Sequence, residues 1–168
     1  VFRSLMLAHE IANHKVFFVC TKESELAASN IAARDYKTVI QQGELWEDVL
    51  ALDPDLVIND MLDTPREYME HLKAANIPVV NFEDEGPGSV LADQVVNALY
   101  EEPQNETNGK QPERFLYGHK YFCLRDEFLQ AEQNVFRPAP KCILITFGGT
   151  DMPDYTRQTL DTVEPLCR

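Results

Sequence analysis

The chain has 168 residues, 44% of them hydrophobic, enough for one buried core of ordinary size, so a single domain is the default expectation. The formal charge of −13 is spread along the sequence without a basic stripe, which excludes a nucleic-acid backbone as partner and leaves any phosphate to be held by local donors. No apolar run approaches the roughly 20 residues of a membrane-spanning helix and no targeting segment is in view, so the composition reads as a soluble, cytoplasmic protein without an integral membrane segment.

In chain order, Phe2 to Asn13 places Leu5, Leu7, Ala8, Ile11 and Ala12 near a helical stripe, and Val16 to Cys20 is a short run of β-formers. Ser24 to Arg34 is alanine-rich with Leu26, Ala27, Ile31 and Ala32 at helical spacing, and Lys37 to Ile40 is an extended candidate. Glu44 to Leu52 reads as a helix broken by Asp53-Pro54, followed by a strand at Leu56 to Ile58. Thr64-Pro65 supplies a cap-and-proline start for a helix running to about Asn76, and Ile77 to Phe82 is the next strand. An acidic turn from Glu83 to Gly88, a short helix near Val90 to Asp93 and a strand at Gln94 to Leu99 complete the series. Strands that are continuous apolar runs, separated by helices of about ten residues, predict a parallel α/β sheet covered on both faces.

Glu101 to Glu113 is polar, contains Asn108-Gly109 and two prolines, and reads as a surface loop, the least ordered stretch. Residues 1–133 form the first domain, Asn134 to Pro140 reads as a linker, and Lys141 to Phe147 is a fresh buried strand. It runs into Gly148-Gly149-Thr150-Asp151, and helical spacing resumes from Tyr155 to Leu166, the opening βα unit of a second domain at 141–168. Both ends of the sequence fall inside amphipathic patterns and read as cut.

The four cysteines, Cys20, Cys123, Cys142 and Cys167, lie far apart, with no C-x-x-C pair and no histidine at zinc-ligand spacing. They read as reduced, mostly buried thiols, and neither a metal nor a cofactor is expected. His9, His14, His71 and His119 lack a Ser, Cys or Asp partner at telling spacing and read as surface or capping residues, while Trp46 reads as core rather than as a sugar-stacking platform. Gly148 to Asp151 has two readings: a tight βα connection, or a bare turn ahead of a helix N-terminus that receives a diphosphate. It is neither a P-loop nor a dinucleotide fingerprint. Asp60 and the acids Glu83, Asp84 and Glu85 follow strands, where open α/β sheets bind ligands. Helix capping by Asp60 and Asp63, and a solvated acidic turn at Glu83 to Glu85, are the alternatives.

Five ordered blocks, VFRSLMLAHEI, PDLVINDMLD, VVNFEDEGPGSVLADQVVNALYE, YGHKYFCLRDEF and ILITFGGTD, span nearly the whole chain. In them the chain resembles the UDP-sugar hydrolase of the pseudaminic acid pathway and its spore-coat-polysaccharide relatives, a family similar to the GT-B glycosyltransferase that makes lipid II. The resemblance implies a GT-B-type protein of bacterial surface-sugar biosynthesis with two Rossmann-like domains, the sugar lying towards the first and the nucleotide diphosphate on the second. By motif, Arg3 looks like the arginine of a G-x-G-H-x-x-R segment, Asp60 like a post-strand aspartate, and Glu83-Asp84 like paired substrate-binding acids, in a departure from the usual two aspartates. Tyr121, Leu124 and Arg125 match a Y-x-x-L-R block, and Gly148, Gly149, Thr150 and Asp151 the diphosphate-binding loop. The family's catalytic histidine and its first, central strand would precede Val1, so a chain of this extent is expected to be silent, loss of a general base costing ~10²–10⁴-fold. The expected function is hydrolysis of a UDP-sugar at the anomeric carbon, with support from Arg3 and Asp60. Transfer to an acceptor alcohol and a non-catalytic nucleotide-sugar or protein-binding module are the alternatives, and the oligomeric state is not legible.

Overall fold

A computed structural model describes residues 2–102, 113–133, 135, 136, 138, 139, 141–147, 151 and 153–167. The chain divides into two compact units, residues 1–130 and 131–168, taken separately below.

Unit 1 alternates helix and strand as far as β4 and then adds two strands and a short helix: α1 (Phe2–Glu10), β1 (Phe17–Cys20), α2 (Glu25–Ala32), β2 (Lys37–Ile40), α3 (Leu45–Leu50), β3 (Val57–Asn59), α4 (Arg66–Ala74), β4 (Val79–Phe82), β5 (Gln94–Asn97), β6 (Phe115–Tyr117) and α5 (Asp126–Leu129). Three helix-to-strand junctions share one device. After α2, α3 and α4 the chain enters the left-handed region at Asp35 (φ 63°), Asp53 (φ 50°) and Asn76 (φ 58°). Asp and Asn tolerate that region better than other side chains bearing a Cβ. Each donates its N–H back into the helix, Asn76 to the Lys73 carbonyl at 3.0 Å, and Ile77 follows with a bond to Leu72 at 3.2 Å. The helix is thereby closed and the chain turned into the next strand.

Among the described residues all strand pairing is parallel, in two sheets, β1-β2 and β3-β4-β5-β6. Registers include Val57↔Val79, Asn81↔Val95 and Val95↔Phe115. The odd-numbered residues Val57, Val79 and Val95 face α4, whose Met69 and Leu72 are fully buried against them. Val49 of α3 and Tyr68 join the same core, with Trp46, Leu50 and Val19 of β1 packed on its margin. A second cluster joins Cys20 of β1 to Ala28 and Ile31 of α2, with Leu5, Phe18, Tyr36 and Ile40 around it. The fold is α/β and Rossmann-like.

Several expectations are corrected. The single sheet covered on both faces is two sheets, since no ladder joins β1 to β3, and Ile58 in the middle of edge strand β3 stays 39% exposed. β6 was not expected: three residues bounded by Arg114 and Gly118 are too short for periodicity to register. Thr64 does not cap α4, because Pro65 occupies that position without a side-chain bond and the Thr64 hydroxyl has no hydrogen-bond partner. The helix expected near Val90 is a single 3₁₀ turn at Ser89–Leu91, and β5 ends at Asn97 instead of Leu99.

In unit 2, α6 (Tyr155–Val163) runs into a 3₁₀ turn at Glu164–Cys167. Lys141 to Phe147 is not the buried strand expected, and Leu144 is 87% exposed. The reason is pairing: among the described residues unit 2 contains no strand to form a ladder with it. Most of the expected surface loop, 103–112, lies outside the described residues, as do 134, 137 and 140 of the expected linker. The thiols are less buried than expected, Cys20 being buried, Cys123 half-buried and Cys142 exposed.

Candidate functional site

Parallel strands end on a common rim, and in unit 1 the ends of β3, β4 and β5 carry Asp60, Glu83 and the Ala98-Leu99 backbone to it. The first turn of α1 adds Arg3, whose guanidinium ties two of these ends together. Nη2 donates to Asp60, and Nη1 donates to Glu83 Oε1 at 2.9 Å. The neighbouring Ser4 hydroxyl donates to Asp60 Oδ2 at 2.6 Å. Beneath the guanidinium lies the Phe82 ring, 5.3 Å from its carbon to the centroid, a cation–π contact that helps hold the plane.

Glu83 is the most constrained member. It adopts φ 51° without being glycine, a conformation that costs about 1 kcal/mol and persists only where surrounding bonds demand it. That turn points the carboxylate inward, where Oε1 accepts the Ala98 N–H at 3.1 Å and Oε2 the Leu99 N–H at 3.3 Å, leaving the residue 1% exposed. Asp84 is buried as well. Its Oδ1 accepts the N–H groups of Thr64 (3.0 Å) and Gly86 (2.9 Å), and Oδ2 accepts Asn81 Nδ2 at 2.5 Å. It clamps the turn after β4 to the loop entering α4, and a Cβ at Gly86 would collide with the Thr64 backbone there. The solvated-turn alternative therefore holds for Glu85, which is exposed, and fails for Glu83 and Asp84. Helix capping by Asp60 fails too, since its carboxylate is held by Arg3 and Ser4.

Burial pushes the Asp60 carboxyl up, but the bonds from Arg3 and Ser4 outweigh it and leave the group below its ordinary value. With the folded value below the unfolded one, the stability Asp60 contributes is fully present above about pH 4 and lost as pH falls through the folded value. Urea unfolding should therefore show a loss between pH 4 and 2 that is reduced in Asp60→Asn. An identical acid limb in that variant would refute the assignment.

The remaining expected residues divide. Tyr121 borders a groove with Glu101, Glu102 and Tyr117, beneath the Lys120 ammonium. Arg125 lies over the rings of Phe2 and Phe128 and lines a shallow groove with Met6, His9 and Arg34. Neither makes a hydrogen bond or ion pair with the Arg3 cluster in the described contacts. Gly148, Gly149 and Thr150 lie outside the described residues. The two Asp151 oxygens accept the N–H groups of Tyr155 (2.8 Å) and Thr156 (2.7 Å) in the first turn of α6. Those bonds, Thr156 first, hold its carboxyl below the ordinary range.

Sequence reasoning missed Ser4, Phe82 and Cys123. Ser4 follows Arg3 on the same first turn, a local signal. Cys123 carries none: it is placed by the fold, where burial pushes its thiol up while Arg3, Asp60 and Glu83 act on it electrostatically. His71 is half-buried and stacks on Trp46 with centroids 3.9 Å apart, and Trp46 packs against the core as expected.

The Arg3 guanidinium beside the Asp60 and Glu83 carboxylates sets donors and acceptors side by side, an arrangement suited to hydrogen bonds with hydroxyls. Asp60, its side chain 24% exposed, is the carboxylate that solvent reaches. Among the described residues no group of His, Cys, Asp and Glu is placed to hold a metal ion, and no helix is long and apolar enough to cross a membrane. Fold and rim together define a Rossmann-like α/β protein with a hydrogen-bonded charge cluster at the carboxyl ends of its parallel strands, where such sheets bind ligands. No protein-family model, curated protein or solved structure matches the chain.

Proposed function

We propose that the chain handles a UDP-sugar, with the rim of unit 1 holding the sugar, and that it belongs to a GT-B-type enzyme that hydrolyses the bond at the anomeric carbon and releases UDP. The observation that supports this reading is the convergence of Arg3 and Asp60, 57 residues apart in sequence, at the carboxyl ends of parallel strands. A carboxylate partly open to solvent beside a fixed guanidinium offers acceptors and donors to neighbouring sugar hydroxyls. The nucleotide-sugar class and the bacterial surface-sugar setting come from the resemblance in the five sequence blocks. Water as acceptor rests on that resemblance alone, and transfer to an alcohol is the competing outcome.

Calorimetric titration with UDP-N-acetylglucosamine tests the binding half. Asp60→Asn should weaken affinity at least tenfold, about 1.4 kcal/mol, while leaving affinity for UDP alone within twofold. Equal loss for both ligands, or no loss for either, would remove the sugar from this rim. UDP release that appears only on adding an acceptor alcohol would replace hydrolysis with transfer.

A further inference from the structure

We infer that Glu83 is a positioning residue that acts on the ligand only through Arg3. The ligand named here rests on the sugar-side reading above, whereas the geometry does not.

Both Glu83 oxygens are committed inward, Oε1 to the Ala98 N–H and Arg3 Nη1, and Oε2 to the Leu99 N–H. At 1% exposure, the carboxylate has no route to a bound molecule without surrendering those bonds. Arg3 is the opposite case, with 23% of its side chain open to solvent. A free arginine side chain carries about 2 kcal/mol of rotamer entropy. Here the fork is fixed at both ends, Nη2 on Asp60 and Nη1 on Glu83, with its face over Phe82. A planar guanidinium meets the carboxylates of two neighbouring strand ends with separate donors in one fixed plane, whereas a lysine ammonium is a point charge whose rotating donors set no such orientation. The left-handed backbone at Glu83 is what turns its carboxylate under Arg3, and the same carboxylate ties the chain leaving β5 to α1. Glu83 therefore sets the orientation in which Arg3 presents itself at the rim.

A double-mutant cycle with Glu83→Gln and Arg3→Lys tests this, read as the affinity of the 168-residue chain for UDP-N-acetylglucosamine. Each single variant should bind at least tenfold more weakly, and the double variant should be within twofold of Arg3→Lys. Losses that multiply in the double variant would show that Glu83 contacts the ligand or acts through general loosening of the fold, and would overturn the proposal. Should Glu83→Gln fail to fold, Glu83→Asp, which keeps the charge and shortens the reach, takes its place. The arm without ligand is ¹⁵N NMR of the Arg3 Nε–H, expected sharp in the parent and broadened or lost in the Glu83 variant while the α1 amides keep their shifts. An unchanged Arg3 signal overturns the proposal even where no nucleotide-sugar binds. Absence of binding by the parent chain counts against the sugar-side reading and leaves this arm to decide.

Discussion

Arg3→Leu is expected to destabilise unit 1 by about 3 kcal/mol, seen as a lower urea midpoint at unchanged slope. The residue that suffers is Glu83. It is 1% exposed, and without the guanidinium its charge keeps two backbone N–H groups and no counter-charge. Asp60 suffers less, because its side chain is 24% exposed and water can replace Arg3. The leucine returns only about 1 kcal/mol of apolar cover over Phe82, so loss of the buried pair prevails. Removing both charges together, in Arg3→Leu with Glu83→Leu, should cost less than the sum of the single changes, since no buried charge is then stranded. A single-variant loss below about 0.5 kcal/mol would mean that Glu83 is effectively hydrated and that the pair is a surface one.

Asp84→Ala should cost about 3 kcal/mol or more, by the same measurement. The substitution strands three donors in the interior, the N–H groups of Thr64 and Gly86 and the Asn81 amide, each worth roughly 1–3 kcal/mol when left unpaired. Partial rearrangement keeps the total below the sum. Asp84→Asn retains the shape and restores some acceptor capacity, yet its amide faces donors, so an intermediate loss is expected. Hydrogen exchange at Thr64 and Gly86 should quicken in the alanine variant far more than at Val57 in β3. Uniform quickening would show that Asp84 acts on global stability alone and does not clamp the two loops.

Much of unit 1 is legible from local pattern. The order of helices and strands follows from the apolar runs and the stripes between them, and Asp53 and Asn76 sit where helices give way to strands. One further regularity was present and unread: β3, β4 and β5 each hold two apolar residues followed by asparagine, at Asn59, Asn81 and Asn97. In the fold these become a buried polar network, Tyr68 donating to Asn59 at 2.8 Å and Asn59 to Asn81 at 2.9 Å, with Asn81 passing to Asp84 and the Asp84 N–H to Asn97 at 3.2 Å. Burial pushes the Tyr68 phenol far up, in keeping with a donor that stays protonated. Strand length was the poorer guide, as three-residue β6 shows.

By itself, then, the sequence determined that this is an α/β protein of parallel strands, because periodicity and breaker residues are local properties that each segment carries wherever it goes. It also marked Arg3, Asp60, Glu83 and Asp84 as residues of interest. Only the tertiary structure decided their separate parts. Arg3 and Asp60 meet at the rim, Glu83 turns inward through a left-handed backbone to hold Arg3, and Asp84 is spent on clamping two loops. Adjacent acids look alike in a string of letters. Their roles diverge because a single reversal of φ between β4 and the turn sends one carboxylate towards α1 and the other towards the loop before α4.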